Sequence, residues 1–457
     1  MFRTYRNPYT FRRKKRDRQV WKTILWLFVA LVGVEVAVWL VLTLAGQRIK
    51  LANYHGQPAD IYAYQLQTLN SEGKPISGHR TGQLQVQPSW PTGFALQNEQ
   101  SSEYWTINAQ GFRYPETLTQ EKPPEEIRIF LVGSSTAFGQ GLGADDQTIA
   151  ARLERRLQER LEQQKRSPEK YKPTVLPTTA EGLQKIKDLP QRLKPGSYRV
   201  INAAVPGYTS GNQLAQVALE ILPYQPDAII VMNGYDDLML SSEQDIALLQ
   251  PITQRLERPM HGAWQSLTRP MRQSIRNTNT FKAVQFYLLK PQPSLLEQSL
   301  PLAEPSAQWQ NHLPADTSEL EQRIVRYRQH MKQLIQLCAG ANVPLVIGLQ
   351  PELTGITVEN RQPAETAIAT TLPEDYAQII QAGYGQLNEV NKILGKAFPK
   401  NVKVLNHYRL FNDLSAVAFI DTVNLTEDGT KAIAERFYNA IAQLPQLQSA
   451  PAKKNTP

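Results

Sequence analysis

From residue 127 onward, short apolar runs alternate with longer stretches in which apolar positions recur every third or fourth residue. The runs 127–132, 199–203, 228–232, 344–349 and 402–405 are nearly continuous, as strands covered on both faces must be. The stretches 148–164, 211–221, 318–339, 376–397 and 427–442 carry the helical period. Strand and helix in alternation predict an α/β domain over 127–445, with a five-stranded parallel sheet and right-handed crossovers. Two segments break the rhythm, 165–195 with its Lys and Pro and 240–317 with its Pro and Gln. Both predict surface insertions, and two readings stay open for them: walls of a substrate groove at the carboxyl ends of the strands, or loops with no function. Residues 46–126 predict an irregular, partly β lead-in, and 446–457 a disordered tail.

Upstream, the apolar run 24–44 is 21 residues long with Glu35 as its only charge, enough helix to cross about 30 Å of hydrocarbon. A cleavable signal peptide has a shorter apolar core and a small-residue cleavage site, so 24–45 predicts an uncleaved transmembrane helix. The net charge of +9 looks at first like a nucleic-acid signal, but residues 1–23 hold nine Lys and Arg against Asp17, which is +8 and leaves +1 for the rest. The basic charge therefore flanks the span and predicts orientation: residues 1–23 in the cytoplasm, the main domain on the periplasmic side of a bacterial plasma membrane, and no nucleic-acid partner. Glu35 near the middle of the span costs about 2.5–3.5 kcal/mol on insertion scales, so either a membrane protein partner meets it or it is tolerated in protonated form. Cys338 is the only cysteine, which excludes an internal disulfide and a metal site built on several cysteines. No cofactor motif is present.

Candidate chemistry sits at four strand ends: Gly133-Ser134-Ser135-Thr136, Asn202-Ala203-Ala204-Val205-Pro206-Gly207, Asn233-Gly234-Tyr235-Asp236-Asp237, and Asp421-Thr422-Val423-Asn424. In spacing and order these blocks resemble the SGNH or GDSL hydrolase family, and the Gly111-Phe112-Arg113 stretch resembles one that precedes the serine in its membrane-anchored members. The resemblance implies a three-layer α/β/α, flavodoxin-like fold. It also implies Ser135 as nucleophile, the N–H groups of Ser135 and Gly207 as oxyanion donors, and Asp421 as the group that orients a histidine.

Three positions depart from the family pattern. Ser134 replaces an Asp, Asp236 replaces the oxyanion asparagine, and Asn424 replaces the catalytic histidine. An amide has no accessible basic pKa, and losing general-base action costs roughly 10²–10⁴ in rate. His407, just after the last strand, is the candidate replacement base, with Asp236 and Asp237 as further candidates if burial raises them. The remaining histidines, His55, His79, His261, His312 and His330, have no motif around them. Helix capping is the competing explanation for Ser135, and loop capping for Asp421 and Asn424. Two functions follow: a membrane-anchored serine esterase or O-acyltransferase acting on an acylated saccharide or lipid, or a degenerate pseudoenzyme that binds a glycan or a partner protein.

Overall fold

The computed structural model describes residues 9–70, 72–76, 82–249, 277–304 and 307–449. His79 and His261 lie outside them. Two compact units form, one from Met1–Ala59 with Arg258–Gln292, the other from Asp60–Glu257 with Pro293–Pro457. The first contains α1, Tyr9–Leu44, within which Gln19–Leu44 is long and apolar enough to cross a membrane.

The second unit is built on a five-stranded sheet of β1 (Glu126–Gly133), β2 (Ser197–Asn202), β3 (Ala228–Asn233), β4 (Leu345–Leu349) and β5 (Val402–Asn406). Every pairing is parallel, and the order is β5-β4-β3-β1-β2. Alternation along the strands divides the core in two. Ile129, Leu131 and Ile230 face one side with α3 (Ile149–Arg166) and α10 (Glu427–Ile441). Phe130, Val132, Ile229 and Val231 face the other with α8 (Thr317–Gly340) and α9 (Tyr376–Ala397). Both faces are covered, which is why the strands read as unbroken apolar runs. The strand order reverses between β1 and β3, the switch point at which open α/β sheets place their chemistry.

The lead-in is ordered and mixed. Leu66–Thr68, Leu84–Ser89 and Gly93–Leu96 form a three-stranded sheet, and Phe94 packs edge-on against Tyr208 at 5.0 Å, beside the loop that carries Gly207. The first insertion contains a helix, Ala180–Ile186, and its Arg192–Leu193 pairs antiparallel with Gln448–Ser449. Within the stretch expected as a disordered tail, 446–447 belong to a 3-10 turn, Pro445–Leu447, and Gln448–Ser449 form this pairing; residues 450–457 lie outside the described set.

Candidate active site

Gly133 ends β1 where a side chain has no room: a Cβ there would lie 2.5 Å from Cβ of Ala137 and 2.6 Å from the carbonyl oxygen of Met232. The chain passes through extended Ser134 and turns at once into the one-turn helix α2, Ser135–Phe138. The carboxyl end of that helix is held by two buried side chains. Arg113 donates from Nη1 to the carbonyls of Phe138 and Gly139, both at 3.0 Å, from Nη2 to Tyr104 at 2.8 Å, and pairs through Nε with Asp145 at 2.8 Å. Asn202 donates from Nδ2 to the carbonyls of Ala137 and Phe138 at 3.2 and 3.1 Å. The Gly111-Phe112-Arg113 stretch thus acts by fixing the serine turn, a role that its spacing alone did not reveal.

The two adjacent serines have different surroundings. Ser134 Oγ accepts the N–H of Gly207 at 2.9 Å, and its hydroxyl hydrogen-bonds the Asp236 carboxylate. Ser135 Oγ is buried and has no hydrogen-bond partner. The two positions that the family pattern aims at an oxyanion, Gly207 and 236, therefore engage Ser134 and not Ser135. Burial pushes Asp236 up to about 7; the bond from Ser134 opposes the rise and the charge of Asp237 adds to it. Asp237 in turn accepts the N–H and the hydroxyl of Ser210, whose Oγ lies 3.0 Å from His330 Nδ1. His330 sits mid-helix in α8, and only the fold brings it to Ser210.

On the last block, Asp421 Oδ1 accepts the N–H groups of Val423 and Asn424 at 2.9 and 2.8 Å, and Oδ2 accepts Asn424 Nδ2 at 2.8 Å. Asn424 thereby makes the side-chain bond to Asp421 that a histidine N–H makes in such a dyad, and its Oδ1 is left buried without a partner. Burial raises the Asp421 pKa, and the bonds from Asn424 and Val423 pull it back. Thr136 Oγ1 donates to the Val423 carbonyl at 3.1 Å, tying the serine helix to this loop.

His407 is fully buried, sits edge-on to Phe437 at 5.0 Å, and has no partner at either ring nitrogen. Burial holds its pKa down to about 3. It makes no hydrogen bond to Ser135, Asp421 or Asn424, and β5, which it follows, is the sheet edge three positions from β1. As placed, the histidine expected as a replacement base is not hydrogen-bonded to the serine turn.

Part of the second insertion covers the site. Ser299, at the end of α7 (Leu295–Ser299), accepts the hydroxyl of Thr422 at 2.6 Å and hydrogen-bonds Asp421. The Gln298 carbonyl accepts Gln140 Nε2 at 2.7 Å and Asn424 Nδ2 at 3.4 Å. Leu302 lies over Gly207, whose absent Cβ would be 2.8 Å from Leu302 Cγ. Ser134, Ser135, Gly207, Asp236, Asp421 and Asn424 are all buried. In this segment the insertion packs against the buried site residues.

A sequence model described as GDSL-like lipase/acylhydrolase matches residues 129–437. Similar solved structures include a lipase/acylhydrolase from Enterococcus faecalis, 12% identical with a TM-score of 0.34, covering 71% of this chain and 100% of that one. An acetyl xylan esterase is 10% identical with a TM-score of 0.32, covering 69% and 100%. A mutant acetyl-xylooligosaccharide esterase from Geobacillus stearmophilus is 13% identical with a TM-score of 0.33, covering 69% and 94%. Comparison with curated proteins yields no match.

Proposed function

Because this chain belongs to the GDSL-like lipase/acylhydrolase family, we propose that it is a membrane-tethered, extracytoplasmic member whose hydrolytic centre is silent and whose fold is kept for binding a glycan or a partner protein at the envelope. One observation carries this reading: Ser135 Oγ and Asn424 Oδ1 are both buried and both without a partner, on segments joined through Thr136 and Val423. A neutral amide oxygen cannot take the serine proton and return it to a leaving group. The contacts of Gln298, Ser299 and Leu302 with these buried residues support the same reading. The apolar helix Gln19–Leu44 supports the tether, and the basic residues before it support a cytoplasmic N-terminus.

A second reading, serine esterase or O-acyltransferase, is favoured by the contacts of Ser134. Its hydroxyl meets a carboxylate raised to about 7 and its oxygen already accepts a backbone N–H. On that reading Ser134 Oγ attacks the acyl carbonyl and its proton passes to Asp236. The protonated Asp236 then gives the proton to the departing alkoxide, and water or another hydroxyl takes the acyl group from the serine ester.

A fluorophosphonate probe separates the two. The full-length protein in detergent is expected to remain unlabelled while melting cooperatively, and Asp236→Asn with Asn424→His and Ser134→Asp is expected to gain labelling at Ser135. Labelling of the parent overturns the silent reading. A modified Ser134 on peptide mapping, lost in Asp236→Asn, would establish the second mechanism.

A further inference from the structure

Glu35 has an answer within its own chain. Its carboxylate accepts the backbone N–H groups of Asn279 and Thr280, the Asn279 side-chain amide at 2.8 Å and the Thr280 hydroxyl at 2.7 Å. These residues open α6, Asn279–Val284, which continues as one wide turn over Gln285–Leu289. Farther along, Lys282 Nζ donates to the Ala52 carbonyl at 2.9 Å, and Phe286 packs edge-on against Tyr54 at 5.2 Å. Every one of these contacts lies within the first unit. The segment therefore starts beside Glu35 and reaches residues beyond the end of α1.

We propose that residues 277–289 form a membrane element, rising from the level of Glu35 to the outer surface and seated in lipid. The proposal rests on the tethered reading of α1. Glu35 precedes Leu44 by nine residues, which at 1.5 Å each is about 14 Å below the end of the span and close to half of a 30 Å hydrocarbon layer. Backbone at that depth must have its polar groups satisfied, and the first three N–H groups of this helix are. Glu35 takes the first two N–H groups of the helix, and Thr278 Oγ1 takes that of Phe281 at 3.2 Å. The outer face is what lipid requires: Leu288 is 76% and Leu289 65% exposed, and Val284 and Tyr287 are also exposed. Lys282, the only charge in the segment, reaches with its ammonium to a carbonyl past the end of the span, as long cationic chains do near a membrane surface.

The test is depth measurement by spin labels on the full-length protein in liposomes, in a Cys338→Ala background. Single labels are placed at Val284→Cys, at Val32→Cys in the span, and at Val358→Cys, an exposed site of the second unit. Labels at 284 and 32 are expected to collide with oxygen and exclude a water-soluble nickel complex, and the label at 358 to do the reverse. A label at 284 in water with 32 in lipid overturns the membrane element and leaves the tether standing. Both in water overturns the tether and this inference with it. Adding Glu35→Ala is expected to move the 284 label toward water while Glu35→Gln, which keeps an acceptor, holds it nearer its place; an unmoved label in Glu35→Ala shows that Glu35 does not hold the segment.

Discussion

At the scale of single residues, several buried polar groups of the second unit have no partner. Ser135, Asn424 and His407 all carry buried atoms with no hydrogen bond. For His407 the cost is simple to test, because nothing near it uses the ring. Two unpaired imidazole nitrogens in an apolar site cost on the order of 1–3 kcal/mol, so His407→Leu is expected to raise the thermal midpoint. The gain should be larger at pH 5 than at pH 8. With its native pKa held at about 3, His407 stays neutral in the fold while the unfolded chain binds a proton below about 6.5, so its contribution worsens as pH falls through that window. A variant less stable at both pH values would show that the ring packs better than its unpaired nitrogens suggest. Which of two neighbouring hydroxyls turns toward Gly207 was not legible in Gly133-Ser134-Ser135, since spacing places both at the strand end and only the turn decides.

At the scale of elements, the serine turn is a four-residue helix whose carbonyl end depends on an arginine outside the sheet. Arg113→Ala leaves the Tyr104 carbonyl and the Asp145 carboxylate without the guanidinium, the Phe138 carbonyl with Asn202 Nδ2 and the Gly139 carbonyl with a 3.4 Å bond from the Leu142 N–H. The expected loss is about 3 kcal/mol or more in denaturant titration. Arg113→Lys should recover only part of it, because one ammonium cannot present a planar fork to several acceptors. Full recovery in Arg113→Lys would reduce the role to charge alone. The strands themselves were plain in the sequence: each expected run lies within one or two residues of the observed strand, because burial on both faces leaves a continuous apolar signature. The cover over the site and the Arg113 anchor were not, since both are contacts across long stretches of chain that follow no local period.

For the whole molecule, buried titratable groups make stability depend on pH in a direction that can be worked out. Burial pushes Glu352 up to about 7, against bonds from Thr354 and Tyr376. The native state then keeps a proton that the unfolded chain gives up above about 4.3, so this contribution is complete below that pH and is lost as pH rises to about 7. Its size is at most roughly 3–4 kcal/mol. Glu352→Gln is expected to flatten the fall in thermal midpoint between pH 4.5 and pH 7.5, and an unchanged slope would place the dependence on other groups such as Asp236. The class of fold and its membrane-length helix were legible from periodicity and charge placement. The division into two units was not: residues of the second insertion join the N-terminal helix, and no feature of 240–317 taken alone announces that partnership.

The pairing of Glu35 with Asn279 spans 244 positions, and that separation has a meaning during synthesis. At about 5–20 residues per second, the ribosome takes roughly 12–50 s to make the partner after the acid has left it. Throughout that interval Glu35 has a carboxyl group whose donors do not yet exist. Formation of the first helix and completion of its surroundings are thus separate events, and the second waits for a segment made much later. A chain that stops short of residue 279 therefore lacks the donors that meet this acid in the complete fold.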